Sequence, residues 1–121
     1  MQVKTNAYAV IPSSKKNGTE ADKLSIKQML NDGIAVGFRG TVERVKAQRF
    51  IVVVDKDNRK AYYADILRVT KHHKPESGVP RVDVKFGIIR TLLWSDLMKQ
   101  IQVDNGQANT RYFWLPGFHR M

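Results

Sequence analysis

The feature that most constrains this chain is the run Phe50-Ile51-Val52-Val53-Val54, apolar at every position. A strand with one wet face alternates apolar and polar side chains, so an unbroken run rich in β-branched residues predicts a central strand covered on both faces. Upstream, Gly40 to Val45 reads as a first strand, with Gly33, Gly37 and Gly40 marking bends. Downstream, Asp55-Lys56-Asp57-Asn58 carries side chains that bond their own backbone in turns. Ala61 to Val69 then returns as the next strand, so two or three short antiparallel strands follow each other closely.

The flanks must supply the cover. Ala7 to Ile11 reads as a strand ended by Pro12, and Ser13 to Gly18 as a polar loop. Thr19 stands as an N-cap with Asp22 three residues on; Ile26, Met29 and Leu30 share one face of the helix this predicts, and Gly33 stops it. Lys23 and Lys27 share its solvated face. Thr70 to Pro80 holds Lys71, His72, His73 and Lys74 among two prolines and a glycine, which makes a basic loop. Arg81 to Phe86 alternates strictly, with Val82, Val84 and Phe86 on one side and Asp83 and Lys85 on the other.

Leu93, Trp94, Leu97, Met98 and Ile101 form an apolar stripe on a second helix from about Thr91 to Gln102, ended by Asp104-Asn105-Gly106. Thr110 to Leu115 is the last strand. The expectation is a single domain over 1–121, with a barrel-like core at 33–69, a basic loop at 70–80 and a strand-helix-strand unit at 81–121. Its class is α+β: a small bent antiparallel sheet or SH3-like barrel with two short helices.

At 121 residues the chain is long enough to bury roughly two-thirds of its unfolded surface. Its 21 Lys and Arg outnumber 11 Asp and Glu, for a net charge of +10, a field whose physical use is to attract polyanions. The predicted partner is nucleic acid, DNA or RNA. The alternative is an acidic surface on another protein, such as a host enzyme that the chain would modulate, with the Trp114 region as apolar anchor. Having no cysteine, the chain has no disulfide scaffold and no thiolate metal or redox site, which suits a reducing compartment and a cytoplasmic location. No segment approaches 18 consecutive apolar residues and the first residues lack a signal-peptide pattern, so no membrane is expected.

Arg39, Arg44, Lys46, Arg49, Lys56, Arg59 and Lys60 fall at strand ends and turns, where they would crown one rim of a barrel. Tyr62, Tyr63, Tyr112, Phe113 and Trp114 place aromatic faces beside cations, the combination that stacks unpaired bases while holding their backbone. Consecutive strand residues alternate faces, so about half of these rings must go to the core. With Lys71 and Lys74 from the basic loop and Arg111, the candidate nucleic-acid-binding set is those seven cations plus Tyr62, Tyr63 and Trp114.

Gly37-x-x-Gly40-x-Val42-x-x-Val45, the strand Phe50 to Val54, a polar turn and Ala64-Asp65-Ile66-Leu67-Arg68-Val69 together resemble the small SH3-like barrels of the KOW and Tudor type. The resemblance covers Gly33 to Val69, about a third of the chain. It implies a binding module for nucleic acid, ribosomal or polymerase partners, or modified peptides, and leaves the ligand open. A larger PUA-like or EVE-like barrel, with helices packed on a bent sheet, would account for the flanking helices. The small basic make-up suits a regulator from a phage or mobile element.

Catalytic patterns are sparse. Asp83-Val84-Lys85 has the D-x-K form of metal-dependent nucleases, and Asp65 lies eighteen residues upstream as a second carboxylate for Mg²⁺. Alanine stands at 64, where that family has proline, and Asp83 and Lys85 suit the solvent face of a strand. His72, His73 and His119, with Lys71 or Lys74, suggest a metal-free ribonuclease, but adjacent residues in extended backbone point apart. Asp55 to Asn58 opens like a calcium loop, yet Lys60 and Ile66 occupy the positions that need glycine and a bidentate acid. The glycines have no nucleotide-cradle spacing. The expectation is a non-enzymatic binding domain with neither cofactor nor metal, and the nuclease is the enzymatic alternative.

Overall fold

In a computed structural model, which describes residues 5–12, 26–73, 79–101 and 109–116, strands alternate with short helices. They are β1 (Ala7–Ile11), α1 (Ile26–Asp32), β2 (Ile34–Arg39), α2 (Val42–Lys46), β3 (Phe50–Asp55), β4 (Lys60–Lys71), β5 (Arg81–Phe86), β6 (Arg90–Leu92), α3 (Trp94–Met98) and β7 (Asn109–Phe113). The strands form one curled sheet in the order β2-β5-β4-β3-β1-β7, with β6 added on β4, so the α+β class holds. Three short helices, one more than expected, lie among the described residues.

The apolar run is the middle of this sheet, and every residue from Phe50 to Val54 is buried. Its alternate side chains enter two separate cores. Phe50, Val52 and Val54 pack with Leu97 and Ile101 from the α3 segment and with Phe113 and Leu115, while Ile51 and Val53 pack with Tyr8, Val10, Phe38, Val82 and Phe86 inside the curl. Each such side chain contributes roughly 1.5–3 kcal/mol by leaving water. β1, equally buried, pairs with β3 in parallel; the other pairings are antiparallel. A parallel neighbour needs a long crossover, and the chain from Ile11 to Phe50, carrying α1, β2 and α2, supplies it.

β4 makes the curl. Its first half pairs β3 along one edge, and β5 and β6 run in succession along the other. The two extremes of the sheet, β2 and β7, are bridged by Tyr8 of β1: its Oη donates to Arg39 O at 2.7 Å, and its ring lies 5.3 Å from that of Tyr112. At the far end of β1, Asn6 clasps Leu115, donating from Nδ2 to its carbonyl at 3.1 Å and accepting from its N–H at 2.6 Å. The Asn6 carbonyl accepts from Arg49 N and Phe50 N as well.

Several elements differ from expectation: Ile34–Arg39, whose glycines suggest only bends, is a strand, and Thr70 and Lys71 continue β4 instead of opening the basic loop. Gly40 to Val45 is not a strand: Thr41 is an N-cap whose hydroxyl accepts from Arg44 N at 3.3 Å, and α2 follows. Val42 and Val45, three apart, lie on one helical face against the inner core, which overrides their β propensity. The second helix is shorter than Thr91 to Gln102, because Arg90–Leu92 is taken as β6 by Tyr63, Tyr62 and Ala61. Leu93 thereby becomes an exposed flanking residue, while Leu97 and Ile101 keep their buried stripe. Of the first expected helix, Ile26 to Asp32 is seen as α1 with Met29 buried; Thr19, Asp22 and Lys23 lie outside the described residues. No helix among the described residues is long and apolar enough to cross a membrane.

Candidate nucleic-acid interface

The half-sheet β2-β5-β4 covers the inner core with one face only. β5 alternates as its sequence dictates: Val82, Val84 and Phe86 go inward, and Arg81, Asp83 and Lys85 go outward. On its neighbours, however, strict alternation would send the wrong residues out. Each carries one bulge, an extra residue that shifts the register by one and reverses which side chains face solvent. In β2 the extra residue is Gly37, between Val36 opposite Asp83 and Phe38 opposite Val82. In β4 it is Leu67, between Ile66 opposite Phe86 and Arg68 opposite Lys85. Without these bulges Arg39 and Arg68 would point inward; with them, both point out.

The consequence is a face organised in rows. At one end Arg39 lies opposite Arg81. At the other, Lys85 has Arg68 opposite it on one side and Ile34 on the other. The middle row is Val36, Asp83 and Thr70. Like charges directly opposite each other across a ladder are destabilising, and this face has two such pairs. The spacing of strand residues puts the pairs about 13 Å apart along β5.

The Arg81 end is tied down through Gly37. Its φ of 75° is left-handed, which glycine adopts without the cost a Cβ would bring. The carboxylate of Asp83 accepts from Gly37 N at 2.9 Å, and the same Oδ1 lies 2.9 Å from His72 Nδ1. Arg81 Nη1 donates to Gly37 O at 2.8 Å. The one acid on the face therefore spends an oxygen holding the bulge; of the two arginines, Arg39 is exposed, while Arg81 is half-buried with its guanidinium bonded to the bulge.

Gly40 continues this end into α2. Its φ is 156°, and a Cβ there would lie 3.0 Å from Val45 Cγ2 and 3.1 Å from Tyr112 Oη, so α2 and the β2–β7 seam close on it. The Arg44 guanidinium lies 3.8 Å over the Tyr112 ring, and Lys46 and Arg49 are exposed just beyond. Burial pushes the Tyr8 hydroxyl far above the usual tyrosine range; Tyr112 adds to that shift and Arg81 opposes it. Burial also raises Tyr112, against the pull of Arg44. Tyr112 Oη and Arg81 Nε are buried without a hydrogen-bond partner.

The cations expected on one rim are thus divided. Arg39 ends β2 on the open face, Arg44 and Lys46 are exposed on α2, Arg49 precedes β3 with its guanidinium 5.0 Å from the Phe50 ring, and Lys71, exposed, ends β4 opposite Val82 and so off the three rows. Lys56, Arg59 and Lys60 occupy the β3–β4 turn, beyond the other end of β3, a separation of about 17 Å from strand rise alone. Arg111 is half-buried on the face of β7 opposite Tyr112, its Nη1 donating to Thr110 O at 2.9 Å. Lys74 and His119 lie outside the described residues.

Among the rings, Tyr63 is core, edge-on to Phe50 at 5.9 Å, and Phe113 is core as well. Tyr62 is half-buried against Leu30 and Ile89 beside the inner core. Trp114 is exposed but follows β7, on none of the three rows.

The nuclease residues are not brought together. Asp65 faces Arg90, with 3.6 Å between Oδ2 and Nη2, and lies five residues along β4 from Thr70, the partner of Asp83, or about 15 Å away. His72 and His73 have ring centroids 5.0 Å apart, with His72 committed to Asp83. No group of three or more His, Asp and Glu that could hold a metal ion forms among the described residues.

Sequence reasoning missed Arg68 and Arg81 and gave Lys85 only a catalytic part. Periodicity placed Lys85 outward, but the Arg68 side depends on the Leu67 bulge, which has no glycine to announce it. Compared with family models, curated proteins and solved structures, the chain matches none.

Proposed function

We propose that this protein binds nucleic acid in the cytoplasm as a non-enzymatic module, using the open face of β2-β5-β4 and the adjoining helix α2 to hold phosphates. The observation that carries this reading is the pair of bulges that aim Arg39 at Arg81 and Arg68 at Lys85. Each bulge sets two like charges opposite each other at a cost in stability, and an anionic ligand between them reverses the sign of that cost. The net charge of +10 supplies long-range attraction, and Arg44, Lys46 and Arg49 extend the contact surface past Gly40. The resemblance to KOW and Tudor barrels points the same way, toward a binding module.

The test is fluorescence anisotropy of labelled nucleic acid at fixed salt. Replacing Arg68 and Lys85 by alanine is expected to weaken binding about tenfold or more, and replacing Lys56 and Lys60 by about threefold or less. A larger loss from the β3–β4 turn than from the open face would overturn the assignment, as would an absence of binding to DNA and RNA alike.

A further inference from the structure

We infer that the nucleic acid this face accepts is duplex DNA, held by its backbone and bent by an apolar wedge, Leu67 with Ile88. The inference rests on the phosphate-binding reading above and adds the ligand's form.

Two observations carry it. First, the three rows hold cations, the one carboxylate of Asp83, a hydroxyl and aliphatic side chains, but no Phe, Tyr or Trp. Single-strand binders gain much of their affinity by stacking bases on such rings. Among the described residues the rings at its edge are His72, held by Asp83, and His73, 5.0 Å from it, and neither is one of those aromatic platforms. A duplex keeps its bases stacked on each other and asks only for phosphate contacts.

Second, the cationic row of Lys85 and Arg68 ends in exposed aliphatic surface. Leu67 and Ile88 are 62% and 82% exposed, with Leu93 between them the highest values among the large apolar side chains of the described residues. Gly87 connects them: a Cβ on it would lie 3.8 Å from both methyl carbons of Leu67, so the Leu67 side chain lies over the residue that precedes Ile88. The bulge that turns Arg68 outward is the same one that leaves Leu67 outside both cores.

Aliphatic side chains beside Arg and Lys are what minor-groove binders insert between base steps, unstacking them and bending the duplex so that more phosphates reach the protein. DNA is favoured over duplex RNA because RNA recognition draws on polar contacts to 2′-hydroxyls. Beyond the cations assigned to phosphates, the face offers few: Thr70, and an Asp83 whose Oδ1 already serves Gly37 and His72.

The experiment uses the full chain with a short DNA duplex carrying a fluorophore pair at its ends, the corresponding single strand, and a duplex RNA of equivalent sequence. The expected result is binding to duplex DNA about tenfold tighter than to either alternative, with a shortened end-to-end distance on binding. Leu67→Ala with Ile88→Ala should abolish the shortening while lowering affinity only a few-fold. Both residues are exposed, so the core is untouched, and an unchanged thermal melt verifies the fold. Tighter binding to the single strand or to RNA, or duplex binding without shortening, overturns the wedge and leaves the phosphate-binding reading standing. Binding to vesicles of anionic lipid with none to any nucleic acid overturns both.

Discussion

Tyr8 and Tyr112 sit ring to ring at the seam between the ends of the sheet, yet their hydroxyls stand in opposite states. Tyr8 donates to Arg39 O, and Tyr112 Oη is buried with no partner. Tyr8→Phe leaves a carbonyl without its donor and is expected to cost about 1–3 kcal/mol, whereas Tyr112→Phe removes a hydroxyl that burial already penalises and should be neutral or stabilising. Urea unfolding of both variants measures this. In alkali the two act in the same sense, since burial raises both. With its folded pKa raised, Tyr8 contributes stability that is full below the ordinary tyrosine value near 10 and lost as pH rises above it, because the unfolded chain ionises there and the folded one resists. The deficit of Tyr8→Phe relative to the parent should therefore shrink above about pH 10, and growth of the deficit there would contradict the assignment. At the other end of the network, Gly37→Ala forces a left-handed Cβ and should cost about 1–2 kcal/mol while loosening the aim of Arg39.

At the level of elements, the two bulges decide more than any strand's composition. Lys85 faces Arg68 because Leu67 is inserted, so Lys85→Glu turns a repulsive cross-strand pair into an attractive one. The expected outcome is a protein more stable by about 0.2–1 kcal/mol that binds nucleic acid more weakly; calorimetry and anisotropy on the same variant test both halves. A loss of stability with binding intact would contradict the role given to the pair. Legibility in the sequence follows the same division. β3 was readable because five apolar residues in a row leave few alternatives, and β5 because it alternates. α2 was not, since Val42 and Val45 are strand formers by type and helical only by spacing; the Thr41 cap was the available signal. Gly37 was readable as a bend but not as a change of register, and Leu67 gave no signal.

For the molecule as a whole, the cations that share the open face and α2 are those whose counterions a bound duplex would release. With about six phosphate contacts, the slope of log affinity against log salt should be near −5 on duplex DNA, and the slope of the Arg68→Ala, Lys85→Ala variant shallower by nearly 2. A slope near zero for the parent would remove electrostatics from the account. The basic excess was plain from composition, whereas its partition between the open face and the β3–β4 turn depended on strand direction, which composition does not contain. The clasp between Asn6 and Leu115 bears on how the chain reaches this state. β1 is flanked by β3 and β7, and Asn6 bonds to residues just before β3 and just after β7, so the strand first made is among the last to be completed. Contacts so distant in sequence form slowly. On the ribosome, the buried Ala7–Ile11 segment must wait until β7 has been made, and it is during that wait that the nascent protein has most need of a chaperone.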